Sequence, residues 1–298
     1  MHISITGGTG LVGTALVSFL LEQGHEVTIF TRNPGKHSKN HQKAHLASYE
    51  NLPAVIEESD AVVNLAGENL FDQRWNEVVK SRILKSRVKT TRAVVCAIGE
   101  ASRKPQVLIS ASAVGYYGSR GDTVLDESSS AGDDFLARVC LQWEEEADEV
   151  RKHGVRLAIP RIGIVLDKSG GALEKMKQPF SMFIGGPLGN GSQFFPWVHV
   201  EDVCRAIYFA ISDEQLHGAF NLSAPDPITM KEFAQQLGSV MGRPSLFPVP
   251  EFALRLVVGD AAEALVASQR TVPRKLHDAG FQFTYPNVYK ALNQLLES

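Results

Sequence analysis

His2-Ile3-Ser4-Ile5-Thr6-Gly7-Gly8-Thr9-Gly10-Leu11-Val12-Gly13 opens the chain, and a second apolar run closes on Phe30-Thr31-Arg32. Ile3 and Ile5 share one face of a short strand, and then the glycines begin. Gly8, Gly10 and Gly13 satisfy G-x-G-x-x-G, and Gly7, Gly10 and Gly13 repeat at every third position. Glycine permits a tight turn and lets backbone approach a pyrophosphate with no Cβ between them. The next residues alternate as a helix, with Val12, Ala15, Leu16, Phe19 and Leu20 at i, i+3, i+4, i+7 and i+8, until Gly24 ends it. A helix that begins at such a turn offers amide N–H groups and a positive dipole end to an anion. In this strand–turn–helix–strand setting the motif predicts a dinucleotide site, with Gly7, Thr9, Gly10, Leu11, Val12 and Gly13 at the pyrophosphate.

The second strand decides which dinucleotide. Sites that prefer NAD place an acid about 20 residues beyond the glycines to hold the ribose hydroxyls. This chain has no acid between Glu26 and Glu50, and it has Arg32. A guanidinium pairs its donors with a 2′-phosphate, so the expected cofactor is NADP(H).

Working outward, short β-type runs alternate with helical patterns through the first two thirds of the 298 residues. Strands are predicted at 2–6, 26–30, 61–65, 107–110, 155–159 and 219–222. Helices are predicted at 11–23, 76–101, 135–152, 203–212, 230–241 and 287–296. The stretch 167–196, rich in Gly and Pro, is predicted to be mostly loop, as over a site. The expected fold is α/β: a Rossmann-type doubly wound parallel sheet with a smaller, mainly C-terminal substrate domain. Residues 1–168 form the cofactor domain, with 198–224 returning to it. Residues 169–197 and 225–298 form the smaller domain.

A net charge of −3, with 44% hydrophobic and 21% charged residues, gives no electrostatic reason to expect nucleic acid or an anionic membrane as partner. Cys96, Cys140 and Cys204 are odd in number and far apart, which fits a reducing, cytosolic setting. No metal-ligand spacing and no G-x-S-x-G occurs. A homodimer is left open.

Further motifs accumulate along the chain. They are Asn64-Leu65-Ala66-Gly67, Arg74-Trp75-Asn76, Ser110-Ala111-Ser112-Ala113-Val114-Gly115-Tyr116-Tyr117-Gly118, Trp143-Glu144, Pro160-Arg161-Ile162-Gly163, Val198-His199-Val200-Glu201-Asp202-Val203, Pro273-Arg274-Lys275-Leu276 and Ala279-Gly280-Phe281. With the glycine turn, they resemble an atypical extended short-chain dehydrogenase/reductase, the subgroup of epimerase family proteins, over nearly the whole length. The resemblance implies cofactor contacts at Leu65, Ala66, Gly67, Ser110 and Arg161. It also aligns Arg87 with a position where the superfamily carries a structural asparagine; a buried arginine there needs a partner, a carboxylate or the cofactor phosphate, and Arg87 is counted among the cofactor contacts.

Ordinary members use a tyrosine as general acid/base, a lysine four residues later on the same helix face, and a serine that orients the substrate. Aligning Glu144 with the family's acid four positions past the lysine puts Cys140 at the lysine and Leu136 at the tyrosine, so the pair is absent. Leu136, Val139, Cys140, Trp143, Ala147 and Val150 form one apolar stripe, read first as packing. Ser112 matches the catalytic serine, and Tyr116 or Tyr117 is the nearest phenol able to replace the missing acid. Cys140, an acid or nucleophile in principle, has no activating neighbour in sequence. His199 belongs to a structural strand entering a helix. The expected function is an NADP(H)-dependent oxidoreductase or epimerase-like enzyme on a small molecule. The alternative is a non-catalytic NADP(H)-binding sensor or interaction protein.

Overall fold

Every residue of the runs Ala61–Asn64 and Val107–Ser110 is buried, as expected for central strands of a parallel sheet covered on both faces. The computed structural model describes residues 1–37 and 43–296; of the domain spans predicted above, residues 38–42, 297 and 298 lie outside it. Among the described residues the main sheet has eight parallel strands, the short pair Ser112–Ala113 lying off the path of the other seven: β1 (His2–Thr6), β2 (Glu26–Phe30), β3 (His45–Ala47), β4 (Ala61–Asn64), β5 (Val107–Ser110), β6 (Arg156–Ile162) and β7 (Gly218–Leu222). Their order is β3-β2-β1-β4-β5-β6-β7, the doubly wound order whose crevice lies at the carboxyl ends of β1 and β4. The edge strand β3, only three residues long, is the one the periodicity did not predict.

The side-chain period of two splits the core cleanly. Ile3, Ile5, Val27, Ile29, Val63 and Ile109 face helices α1 (Leu11–Glu22) and, later in the chain, Val200–Ser212. Phe30, Val62, Leu108 and Leu157 face α2 (Leu52–Glu58), α3 (Glu77–Glu100) and α4 (Phe135–Asp148). In α1 the fully buried positions are Gly13, Leu16, Val17 and Leu20, one step round from the predicted stripe. Phe19 is drawn aside by Tyr208, whose ring centroid lies 5.8 Å away. Side-chain caps start α3 and α4. Asn76 accepts from Val79 N at 2.9 Å and Asp134 from Ala137 N at 2.8 Å, each worth about 1 kcal/mol.

Beyond β6 the predicted loop 167–196 contains α5 (Gly171–Ser181), and α6 (Val200–Ser212) then returns to the sheet. The smaller C-terminal lobe adds α7 (Met230–Met241), α8 (Glu251–Val258) and α9 (Val288–Leu296). A separate core of Leu173, Phe180, Trp197, Phe233, Leu237 and Leu292 ties α5, α7 and α9 together. Among the described residues no helix is long and apolar enough to cross a membrane.

One irregularity positions the site. β5 pairs with β6 only as far as Ile109↔Ala158, and a two-residue strand then resumes pairing at Ser112↔Arg161. Pro160, which has no N–H to give to a ladder, falls in the gap.

Candidate functional site

The glycine turn is packed more tightly than the motif alone requires. Gly7 has φ +73° and its carbonyl accepts from Gly10 N at 3.0 Å. A Cβ on Gly7 would lie 2.7 Å from the Leu65 carbonyl, and one on Gly13 would lie 2.2 Å from Gly7 O. Gly7 and Gly13 therefore let β1, α1 and the end of β4 meet backbone to backbone. Gly10 does different work. It caps α1 in extended conformation with no side-chain hydrogen bond, and the first turn of α1 holds no acid. The positive end of the helix is thus left for an anion. A cavity of about 320 Å³ opens beside it, lined by Thr9, Gly10, Leu11, Thr14 and Asp167 among others. Leu11 also supports the start of α5: a Cβ on Gly171 would touch it at 2.8 Å. Val12 packs against the core beneath.

Arg32 is exposed at the carboxyl end of β2, with Thr31 buried behind it. The strand-end turn Leu65-Ala66-Gly67 lies across from the glycines. A Cβ on Gly67 would sit 3.0 Å from Arg87 Cζ. Arg87 donates through Nη1 to Ile83 O (3.0 Å) and Glu68 O (3.2 Å), and lies 5.2 Å from the Trp143 ring. Burial lowers its pKa, and among the described residues no carboxylate is hydrogen-bonded to it. The cradle fits a dinucleotide: close backbone, a bare helix end and a cation whose charge no carboxylate neutralises by contact.

Register then lines up the polar groups. Thr6, Asn64 and Ser110 stand abreast on β1, β4 and β5, and Ser112, Arg161 and Asn221 stand abreast one step on. In the first row, buried Asn64 accepts from Thr6 Oγ1 (2.6 Å) and donates to Thr91 Oγ1 (2.8 Å) and Ser110 Oγ (3.3 Å). Thr91 Oγ1 also accepts from Trp143 Nε1 at 2.9 Å. This network pins α3 and α4 to the strand ends. It also places Ser110 behind the surface, 1% exposed, rather than on it.

The second row is the chemical one. Ser112 Oγ donates to Glu144 Oε1 at 2.6 Å. Glu144 also receives Arg161 Nε (2.9 Å) and Nη2 (2.8 Å). Arg161 Nη1 donates to the Tyr117 hydroxyl (3.0 Å), which donates to Asn221 Oδ1 (2.7 Å). Arg161 was expected against the cofactor. It is 4% exposed, beside Ser112, which is 3% exposed, with each of its three nitrogens hydrogen-bonded. Burial works against its charge, but Glu144 beside it holds its pKa above the usual guanidinium value. Tyr117 is fully buried, and burial pushes its hydroxyl up to about 12. Tyr116 is half-buried, its ring 3.4 Å from Arg161 Cζ, and no hydrogen bond to its hydroxyl is present among the described residues.

Cys140 is buried and its thiol faces Ala113 O at 3.7 Å. Burial, with Glu144 adding to it, pushes the thiol up to about 11. Leu136 packs 3.3 Å from the Cβ position of Gly115, so the place of the family tyrosine is filled by hydrocarbon. His199 caps α6 through Glu201 N (3.1 Å), bonds Gln294 (3.0 Å) and stacks on Tyr285, as a structural residue would. Among the described residues no cluster of His, Cys, Asp or Glu could hold a metal.

Glu144 entered the sequence reading only as an alignment mark, and Asn221 did not enter it. Glu144 lies four residues past Cys140, hence on the same helix face, and that spacing was the signal available. Asn221 reaches the row through β6–β7 register, which no sequence spacing reveals.

Residues 3–137 match the NAD dependent epimerase/dehydratase family, and residues 249–295 match a domain of unknown function, DUF1731. The chain is 41% identical over its whole length to an Arabidopsis thaliana epimerase family protein (SDR39U1 homolog, chloroplastic), covering 87% of that protein. It is 37% identical to the epimerase family protein YfhF of Bacillus subtilis, over 99% of this chain and 98% of that one. The crystal structure of human epimerase family protein SDR39U1 (isoform 2) with NADPH superposes with a TM-score of 0.92, at 36% identity and full coverage of both chains. With its parallel doubly wound sheet and glycine cradle, this chain belongs to the epimerase family proteins, an atypical extended branch of the short-chain dehydrogenases/reductases.

Proposed function

We propose that this protein binds NADP(H) and acts as an oxidoreductase or epimerase-like enzyme on a small-molecule substrate. The observation that carries the reading is a serine hydroxyl held by the part-buried Glu144, itself paired with the buried Arg161, at the same carboxyl end of the sheet as the glycine cradle. Thr9, Gly10, Leu11 and Val12 would hold the pyrophosphate at the bare end of α1, with Gly7 and Gly13 shaping the turn. Arg32 would take the 2′-phosphate, and Arg87 would meet the cofactor beside Leu65, Ala66 and Gly67. When bound, the cofactor supplies or accepts hydride. Ser112 orients the reacting oxygen. Tyr116, the phenol with an unengaged hydroxyl, exchanges the proton. Tyr117 and Arg161 position this pair from behind, Ser110 braces the strand ends, and Cys140 fills space. Residues 1–168 and 198–224 serve as the cofactor domain, and 169–197 with 225–298 as the substrate domain. We place the protein in the cytosol and leave open whether it acts as a homodimer.

NADPH titration followed by a panel of carbonyl compounds tests this. NADPH binding with oxidation by some member, abolished in Ser112→Ala, is the expected result. Tight binding with no turnover across a broad panel overturns the enzyme reading. Leu136 and the neutral Cys140 favour one second reading, a non-catalytic NADP(H) sensor, because they remove the usual proton donor and its cation.

A further inference from the structure

The hydrogen bonds behind Ser112 run in one direction. Asn221 is the anchor: its Nδ2 donates to the carbonyls of Leu125 (3.1 Å) and Val272 (3.0 Å), so its Oδ1 faces Tyr117. The Tyr117 hydroxyl has one hydrogen, which goes to Asn221, so it must accept from Arg161. Arg161 has donors only, and Nε and Nη2 go to the two oxygens of Glu144. A carboxylate so paired is an acceptor on both oxygens. The Ser112 hydrogen therefore points at Glu144, 2.6 Å away. The Cys140 sulfur also lies within hydrogen-bond reach of Ser112, but its own hydrogen goes to Ala113 O, and a thiol sulfur is a far weaker acceptor than the Glu144 carboxylate 2.6 Å away.

A hydroxyl with its single hydrogen committed has only lone pairs left. We propose that Ser112 meets its ligand as a hydrogen-bond acceptor, so that the group it selects is a donor, an alcohol hydroxyl or an amide N–H, rather than a carbonyl oxygen. Glu144 is the positioning residue that sets this polarity, and Arg161 holds Glu144 in place. The proposal rests on the reading above that Ser112 faces the ligand. It departs from the role first expected for Ser112, which included bonding a carbonyl.

Glu144→Gln inverts the arrangement with little change of shape. Ser112 and Arg161 Nε share Oε1: with the amide nitrogen there, the amide oxygen keeps Arg161 Nη2, the Nε bond is lost, the amide nitrogen donates to Ser112, and the serine hydrogen turns to the site. Neutron diffraction of ligand-free crystals reads the polarity without any turnover. In the wild type the Ser112 deuteron is expected between Oγ and Glu144 Oε1, and in Glu144→Gln it turns away. A wild-type deuteron aimed into the site, with another on Glu144, overturns the proposal. Benzyl alcohol and benzaldehyde, titrated into NADPH-loaded protein by ligand-observed NMR, read the selectivity. The wild type is expected to prefer the alcohol and Glu144→Gln the aldehyde, the ratio of dissociation constants shifting about tenfold. Glu144→Asp keeps a carboxylate and is expected to keep the wild-type order, which decides the matter should Glu144→Gln not fold. Absence of any preference in the wild type, with the deuteron where expected, removes the ligand-facing reading of Ser112 and the proposal with it.

Discussion

The amino end of α1 and the inner face of α4 both meet the carboxyl ends of the strands, yet one is held there by main chain and the other by side chains. At α1 the glycines are retained because backbone packs on backbone: a Cβ at Gly13 would come within 2.2 Å of a carbonyl oxygen. No neighbouring side chain can move to relieve that. At α4 side chains make the contacts instead. Leu136 packs against the bare Cα of Gly115, and Arg87 reaches across from α3 beside Gly67 and Trp143. A cradle made of main chain resists replacement. Contacts made of side chains can be exchanged together with their neighbours.

The sharpest way to break this comparison is to strike the ion pair that α4 now carries. Arg161→Met leaves the part-buried Glu144 without its cation, and the expected loss of stability is about 3 kcal/mol, measured by urea unfolding. A loss below about 1 kcal/mol means that the pair is not a fixed part of the α4 face. On the other side, Gly13→Ala should destabilise by about 3 kcal/mol, since backbone must shift to admit the methyl. It should also weaken NADPH binding more than any single side-chain change in the cradle. Calorimetric Tm and NADPH titration check both, and an unchanged Tm would mean the turn has room that its distances deny.

The same contrast explains what could be read in advance. The glycine turn, the capped helices and the parallel strands are local: each follows from spacings within about 20 residues, so periodicity found them. Arg32 was legible for the same reason. Arg87 was visible as a residue but not as a neighbour of Gly67 and Trp143. The Ser112–Glu144–Arg161–Tyr117–Asn221 row joins α4 to strands separated by more than a hundred positions, and it depends on Arg161 pairing with Ser112 on one side and Asn221 on the other. Register of that kind is set by the assembled sheet. The little helix expected within 167–196 could not be placed from its Gly and Pro content, although Leu173 and Phe180 give α5 a buried face.

Cys140 offers a pH test of the α4 face. Its thiol rises from 9.0 to about 11, so between these values the folded protein retains a proton that the unfolded chain has lost. Stability from this group is fully present below pH 9 and falls as pH rises toward 11, by up to about 3 kcal/mol. Cys140→Ala should therefore lose less stability than the wild type between pH 8 and pH 10.5, measured by urea unfolding at both. Parallel losses in the two proteins would mean that the thiol is not held in the buried, neutral state. Slow alkylation of Cys140 by iodoacetamide at pH 8 is the companion expectation, with exposed Cys96 as the internal fast-reacting control.

Arg32 gives the smallest effect and isolates one part of the cradle. It lies on the surface at the end of β2, where a charged contact to a phosphate is screened and contributes modestly. Its removal should leave the fold alone, because nothing is packed on it that the core requires. Arg32→Ala is expected to weaken NADPH binding about tenfold, corresponding to about 1.4 kcal/mol, while NADH, which lacks the 2′-phosphate, changes by less than about twofold. Raising the salt concentration should shrink the NADPH difference and leave the NADH value nearly constant. Equal weakening of both nucleotides would move Arg32 from the 2′-phosphate to a part common to the two cofactors. The preference for NADP(H) would then have to come from other groups near the end of β2, with Tyr49, which feels the charge of Arg32, the first to replace.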